Sequence, residues 1–221
     1  MRQYIDLASK YNDLPWMNQD QASKFYELFT EYECKNILEL GHARGKSSLL
    51  IASILEEIGH GHLHTCNQIK DPERYPGWND MIFTLLADEN LSHRVTVIKS
   101  QRSWYHDLLK LVGNQIFDFI YVDGDHTLPG VAADFVFADR LLKPGGIMLF
   151  DDIHWTANRS PAVAQHGITA LGNTHPMMND DELDIRPVEE FCNNIMTAQD
   201  YHIIKIDHDN SMAIYRKNYR I

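Results

Sequence analysis

The sequence has little cysteine, no basic run and no long apolar stretch, and each absence removes a class of function. Three cysteines, Cys34, Cys66 and Cys192, lie far apart in 221 residues with no CxxC pair. So sparse and odd a set suits reduced buried thiols in a cytosol-like compartment, not a disulfide framework. Lysine and arginine total 20 against 31 acidic residues, a formal charge of −11, and they form no run. Nucleic acids and anionic membranes need a basic face, so neither is an expected partner. The N-terminus lacks an apolar signal region and no segment approaches membrane length, so a cytoplasmic protein is expected. Repeats and low-complexity segments are also missing. A single domain over residues 1–221 is predicted, long enough for a sizeable core.

What is present concentrates in Phe117 to Asp152. Phe117 to Val122 and Ile147 to Phe150 are short β-branched and aromatic runs, as expected of strands covered on both faces. Between them Val131, Phe135, Ala138 and Leu142 recur at helical spacing, and Lys143-Pro144-Gly145-Gly146 should stop that helix. Each strand ends in acid: Asp123 with Asp125 and His126, then Asp151 and Asp152. In an open parallel sheet the carboxyl ends of the strands form the ligand crevice. Carboxylates gathered there are poor packing material, because an unpaired buried charge is costly. The bland account is that they cap loops or the next helix, and for the whole group it is the weaker one.

A second signal lies at Glu39 to Ser48. A strand over Asn36 to Leu40 leads through Gly41-His42-Ala43-Arg44-Gly45 into a helix from Ser47 to Ile58. Free amides and the helix dipole converge at such a turn and favour a nucleotide or an anion. Two motifs compete for it. The Gly45-Lys46-Ser47 end approaches a P-loop, but Gly41 and Gly45 stand one residue too close together. Glu39 at its mouth would repel a triphosphate and suits a ligand carrying an ammonium and a sulfonium.

The remaining chain is plainer. Residues 1–35 read as a helical cap, with Ala22, Phe25, Tyr26 and Phe29 on one helix face and Asn18 or Asp20 as its cap. Leu63 to Cys66 and Val95 to Ile98 read as strands, and Asn79 to Asn90 as a helix. His60, His62 and His64 alternate beside the first of these, which chance produces at a turn, and we read no zinc site there. Residues 153–186 are long for a loop, and their Trp155, His154 and Met177 point to a substrate lid or a dimer contact. Tyr201 to Ile206 and Met212 to Arg216 predict a hairpin.

The run IYVDGDH, a helix, LLKPGG, an apolar strand and Asp151-Asp152 resembles the second half of class I S-adenosylmethionine (SAM)-dependent methyltransferases. More narrowly it is similar to the small-molecule O-methyltransferases of the macrocin and catechol types. The E-x-G-x-x-x-G-x-S form of their glycine motif fits Glu39 to Ser47 at every position. The resemblance implies a three-layer α/β sandwich around a seven-stranded, mostly parallel Rossmann-like sheet with a C-terminal antiparallel hairpin. It implies SAM held by Glu39, Gly41, Gly45, Ser47 and Asp123, with the ribose near the end of the second strand and the adenine amine after the third. There the family has acids and this chain has Asn67 and Gln101, with Asp71 able to fold back toward the ribose. It also implies Mg2+ or another divalent cation at Asp123, Asp151 and Asp152, where catechol-type relatives use two Asp and an Asn, and oxygen donors suit such ions. His126 stands where the macrocin type has a histidine and the catechol type a lysine. A neutral imidazole there is a candidate general base for a hydroxyl.

The expected function is SAM-dependent methyl transfer to a hydroxyl of a small molecule, with Asp123 and His126 catalytic, divalent-metal assistance and a homodimer as an assembly common in this family. A P-loop phosphotransferase or NTPase is the rival enzyme, and a catalytically inactive SAM-binding module is the third reading. Gly41→Val is expected to block the ligand and leave the fold intact.

Overall fold

The computed structural model describes residues 2–68, 77–100, 104–168 and 179–219. Seven strands, β1 (Asn36–Leu40), β2 (His62–Gln68), β3 (Val95–Ser100), β4 (Phe117–Val122), β5 (Leu142–Phe150), β6 (Tyr201–Asp207) and β7 (Met212–Lys217), form one sheet. Their order is β3-β2-β1-β4-β5-β7-β6. The first five are parallel, and β7 runs antiparallel to both β5 and β6. The chain crosses from β1 outward to β2 and β3, then returns to β4 on the other side of β1. Strand order therefore reverses at β1 and β4, the place where open α/β sheets bind ligands.

Alternate strand residues feed two apolar layers, as the period of two requires. Ile37, Phe119, Tyr121, Ile147 and Leu149 face one layer, covered by α1 (Gln3–Lys10), α2 (Gln19–Glu31), α3 (Lys46–Ile58) and α4 (Met81–Asp88). Leu38, Ile120, Val122, Met148 and Phe150 face the other, with α5 (Tyr105–Leu111), α6 (Leu128–Leu141) and α8 (Pro187–Asn194). Burying both faces of the sheet is what the unbroken apolar strand runs demanded. The result is the expected three-layer sandwich with its terminal hairpin.

Local signals place the helices that matter for the crevice. Asn18 closes a capping box over α2, accepting from the Gln21 amide at 2.9 Å while Gln21 Oε1 accepts from the Asn18 amide. Thr127 caps α6 by accepting from the Gly130 amide at 3.3 Å. Beyond β5, residues 153–160 pass through a short 3-10 turn at Ala157–Arg159 before α7 (Pro161–His166). Ile153 and Ala157 of that segment are buried, so its start belongs to the body of the protein.

Two boundaries differ from the pattern-based reading. β5 begins at Leu142, not Ile147, so Lys143 to Gly146 lie within the strand. Lys143 Nζ is 2.5 Å from Asp118 Oδ1 of β4, which ties this start to the sheet, and the ladder shifts register between Phe117 and Phe119. The helix expected over Asn79 to Asn90 shortens to Met81–Asp88.

Candidate active site

β1 runs into a turn built on two left-handed glycines, Gly41 at φ +95° and Gly45 at φ +92°. At Gly41 a Cβ would lie 2.1 Å from the backbone carbonyl oxygen of Asp123. At Gly45 it would meet Ile82 of α4 at 2.6 Å. Both positions exclude side chains because protein already fills the space. The expectation that Gly41→Val would spare the fold is therefore corrected: the branched side chain would strike β4. The same contact sets the glycine turn directly against the acid-bearing end of β4.

Glu39 sits beneath this turn with no exposed surface, not at a mouth. Its Oε2 accepts from Ser48 Oγ and, at 2.6 Å, from Thr65 Oγ1. Its Oε1 is buried with no hydrogen-bond partner among the described residues. Burial raises the carboxyl to about 7, against stabilisation of its charge by Ser47, Ser48 and Thr65. Ser47 is itself nearly buried at the first turn of α3.

The strand-end carboxylates converge but are not equivalent. His126 lies between two of them, with Nε2 3.2 Å from Asp123 Oδ1 and Nδ1 3.7 Å from Asp152 Oδ2. Asp123, His126 and Asp152 can each offer a ligand atom within 4.8 Å of the others. Asp151 is committed elsewhere: its Oδ2 accepts from the Tyr121 hydroxyl, and its Oδ1 from the Asp152 amide at 2.8 Å and Gln21 Nε2 at 3.5 Å. The Tyr121 oxygen is also 3.1 Å from Asp123 Oδ2, so one hydroxyl proton serves two acids in turn. Burial, with repulsion from Asp123 and Asp152, pushes Asp151 well above the usual carboxylate range.

His126 departs from the neutral imidazole expected of it. Burial works to lower its pKa, but the Asp123 hydrogen bond and the charges of Asp123, Asp152 and Asp151 outweigh that and raise it to about 9. The two acids flanking the ring thus favour its protonated form. Trp155 stands beside it, ring centroids 5.6 Å apart, at the entry to the segment after β5.

A cleft of about 230 Å3 opens at the ends of β1, β2 and β3, lined by His42, Asn67, Asn79, Asp80, Val97 and Ile98. Asn67 donates to the Ala43 carbonyl at 3.4 Å, which ties β2 to the glycine turn through the amide NH2 and leaves the amide oxygen out of that bond. A larger cleft, about 590 Å3, opens between α1, the start of α2 and Lys46, and no strand-end acid lines it. Gln101 and Asp71 lie outside the described residues.

Residues 38–153, more than half of the chain, match the family described as the methyltransferase domain. The chain belongs to that family. No curated protein matches this methyltransferase domain in sequence. Solved structures share its fold at low identity. The O-methyltransferase TomG of Streptomyces achromogenes, involved in tomaymycin synthesis and solved with SAM, is 18% identical with a TM-score of 0.63, over 99% of this chain and 91% of that one. An O-methyltransferase of Bacillus cereus in complex with SAH (S-adenosylhomocysteine, the demethylated product) is 19% identical with a TM-score of 0.62, over 97% and 89%. The SAH-bound methyltransferase PaMTH1 of Podospora anserina is 17% identical with a TM-score of 0.67, over 99% and 89%.

In the methyltransferase domain the glycine turn at Gly41 meets Asp123, His126 lies between Asp123 and Asp152, and Asn67 lines the cleft at the end of β2, with Glu39 buried beneath the turn. Sequence reasoning passed over Tyr121, which looked like a core aromatic in mid-strand. It passed over His42 as well, a variable position of the glycine motif. His42 is nearly buried, burial lowers it to about 4, and its Nδ1 has no hydrogen-bond partner among the described residues. A neutral imidazole in the cleft wall is a polar handle that only the fold reveals.

Proposed function

We propose that the protein transfers a methyl group from SAM to a hydroxyl of a small molecule. The observation that carries this reading is the backbone contact between Gly41 and Asp123, which sets the glycine turn directly against the first of the strand-end acids. A family fold with the turn and the acids apart would support only binding. The residues fit the cosubstrate: the Glu39 carboxyl beneath the turn, whose Oε1 has no hydrogen-bond partner among the described residues, favours a cationic or hydrogen-donating ligand, and Asn67 offers an amide oxygen at the cleft edge. A triphosphate on the glycine turn would lie close to the carboxylates of Asp123 and Asp152, so the P-loop reading is disfavoured by charge as well as by family.

SAM supplies an electrophilic methyl on sulfur, and the acceptor oxygen forms its new bond to carbon as the carbon–sulfur bond breaks toward sulfur. The chain must orient the acceptor and take its proton. His126 is the base, with Nε2–H donated to Asp123 and Nδ1 left to accept, and it accepts only when neutral. A positive charge between Asp123 and Asp152 would favour that neutral form. The oxygens of Asp123 and Asp152, backed by Asp151, fit a hard divalent cation, which would supply that charge and acidify a bound hydroxyl. Trp155 offers an apolar wall for the acceptor beside His126.

Incubation with methyl-labelled SAM and a panel of catechol, sugar and macrolide hydroxyls tests the reading, with and without Mg2+. Label transfer to an oxygen supports it. No transfer to any acceptor, with SAM bound, would favour the inactive binding module.

A further inference from the structure

The structure assigns a second metal site, for a borderline divalent cation such as Zn2+, to His154, Glu189 and His208. These residues come from three elements: the loop after β5, the first turn of α8, and the turn joining β6 to β7. His154 Nε2 and His208 Nδ1 face each other at 3.2 Å, their rings nearly parallel at 4°. A carboxylate oxygen of Glu189 lies within 4.8 Å of a ring nitrogen of each histidine. Tetrahedral zinc, with bonds of about 2.0–2.2 Å to nitrogen and oxygen, needs donors about 3.3–3.5 Å apart. The imidazole pair is within about 0.3 Å of that spacing, and rotation of the two rings and of Glu189 would bring three donors onto one ion, with water as the fourth.

The surroundings favour a site over a chance surface pair. The Ile153 amide donates to the Ser211 carbonyl and the His154 amide to Ser211 Oγ, both at 3.0 Å, so the loop is fixed to the hairpin before any ion binds. Arg186 donates to Glu189 Oε2 at 3.1 Å, orienting the carboxylate while leaving Oε1 out of that contact. Without an ion the facing nitrogens must share one proton. With an ion each ring carries its proton on the far nitrogen and offers a lone pair inward. Two imidazoles and one carboxylate select zinc, nickel or copper over magnesium and calcium, whereas the Asp123–Asp152 site is rich in oxygen. The second site is thus distinct in its chemistry, and an ion there would pin the loop that carries Asp152 to α8 and the hairpin.

Calorimetric titration of the chelator-treated full chain with Zn2+ alone tests this, with Co2+ absorption as a second readout. Wild type should bind one Zn2+ per chain at this site, with the visible bands of four-coordinate Co2+. His208→Ala, a change at an exposed turn residue, should weaken binding at least tenfold and abolish the bands. His208→Gln should do the same. Asp152→Asn should leave both readouts as in wild type. Absence of zinc binding in the wild type overturns the proposal. So does unchanged affinity in both His208 variants, or loss of zinc in Asp152→Asn while His208→Ala retains it.

Discussion

Gly41 and Asp123 touch backbone to backbone, so closely that a Cβ on Gly41 would stand 2.1 Å from the Asp123 carbonyl oxygen. This contact sets the cofactor-type turn of β1 against the acids of β4. It also makes Gly41 a residue of the fold before it is a residue of the site. Gly41→Ala should destabilise the ligand-free protein by about 2–4 kcal/mol, combining the left-handed φ with the displaced strand end. Denaturant unfolding checks it, and a loss below about 0.5 kcal/mol would show that β4 yields without cost.

Glu39 makes stability depend on pH. Its folded carboxyl titrates near 7 instead of 4.5, so between these values the unfolded chain has lost a proton that the folded chain keeps. The associated stability is full below pH 4.5 and is lost as pH rises through 7, up to about 3 kcal/mol. Asp134, buried and also raised to about 7, adds a loss of the same sign. Glu39→Gln keeps an acceptor for Ser48 and Thr65 and removes the charge. Unfolding at pH 5 and pH 8 should show a smaller fall in the variant than in wild type; equal falls would mean that Glu39 titrates normally.

Asn67 stands where the family's acid would grip a ribose. Asn67→Asp exchanges a neutral acceptor for a charged one and should tighten SAM about fivefold. Part of the gain is offset by losing the Asn67 bond to the Ala43 carbonyl. Calorimetry showing weaker SAM binding in the variant would mean that the bond to the turn matters more than the ligand contact.

His126 touches both Asp123 and Asp152, so its removal should be costly to the reaction and cheap to cosubstrate binding. His126→Ala should retain SAM affinity within about threefold and lose at least about a hundredfold in single-turnover rate. Activity surviving with less than a tenfold loss would make the ring a structural counter-charge to the acids.

Much of this was legible before the fold was seen, and the gaps have physical causes. Phe117 to Val122, with the acids after it, reads correctly because a parallel strand covered on both faces is an unbroken apolar run ending at the crevice. The start of β5 at Leu142 does not read, since Lys143-Pro144-Gly145-Gly146 carries every local signal of a helix stop. Tertiary pairing with Asp118 holds it in the sheet instead. Glu39 was placed at the mouth because charge implies exposure, whereas Ser48 and Thr65, from a helix and a neighbouring strand, let it be buried. The state of His126 depends on three carboxylates arriving from two strand ends, and no spacing rule states their distances. Asp151 and Asp152 are neighbours in sequence, yet one bonds Tyr121 and the other faces His126. His154 and His208 meet only because the hairpin returns beside the loop after β5.

The central claim is that the crevice takes SAM and not a nucleoside triphosphate. Isothermal titration of the wild-type chain with SAM and SAH, and separately with ATP and Mg2+, tests it most directly. The chain should bind one SAM or SAH in the micromolar range and give no heat of ATP binding at the same concentrations. Tight ATP binding with no response to SAM or SAH would contradict it.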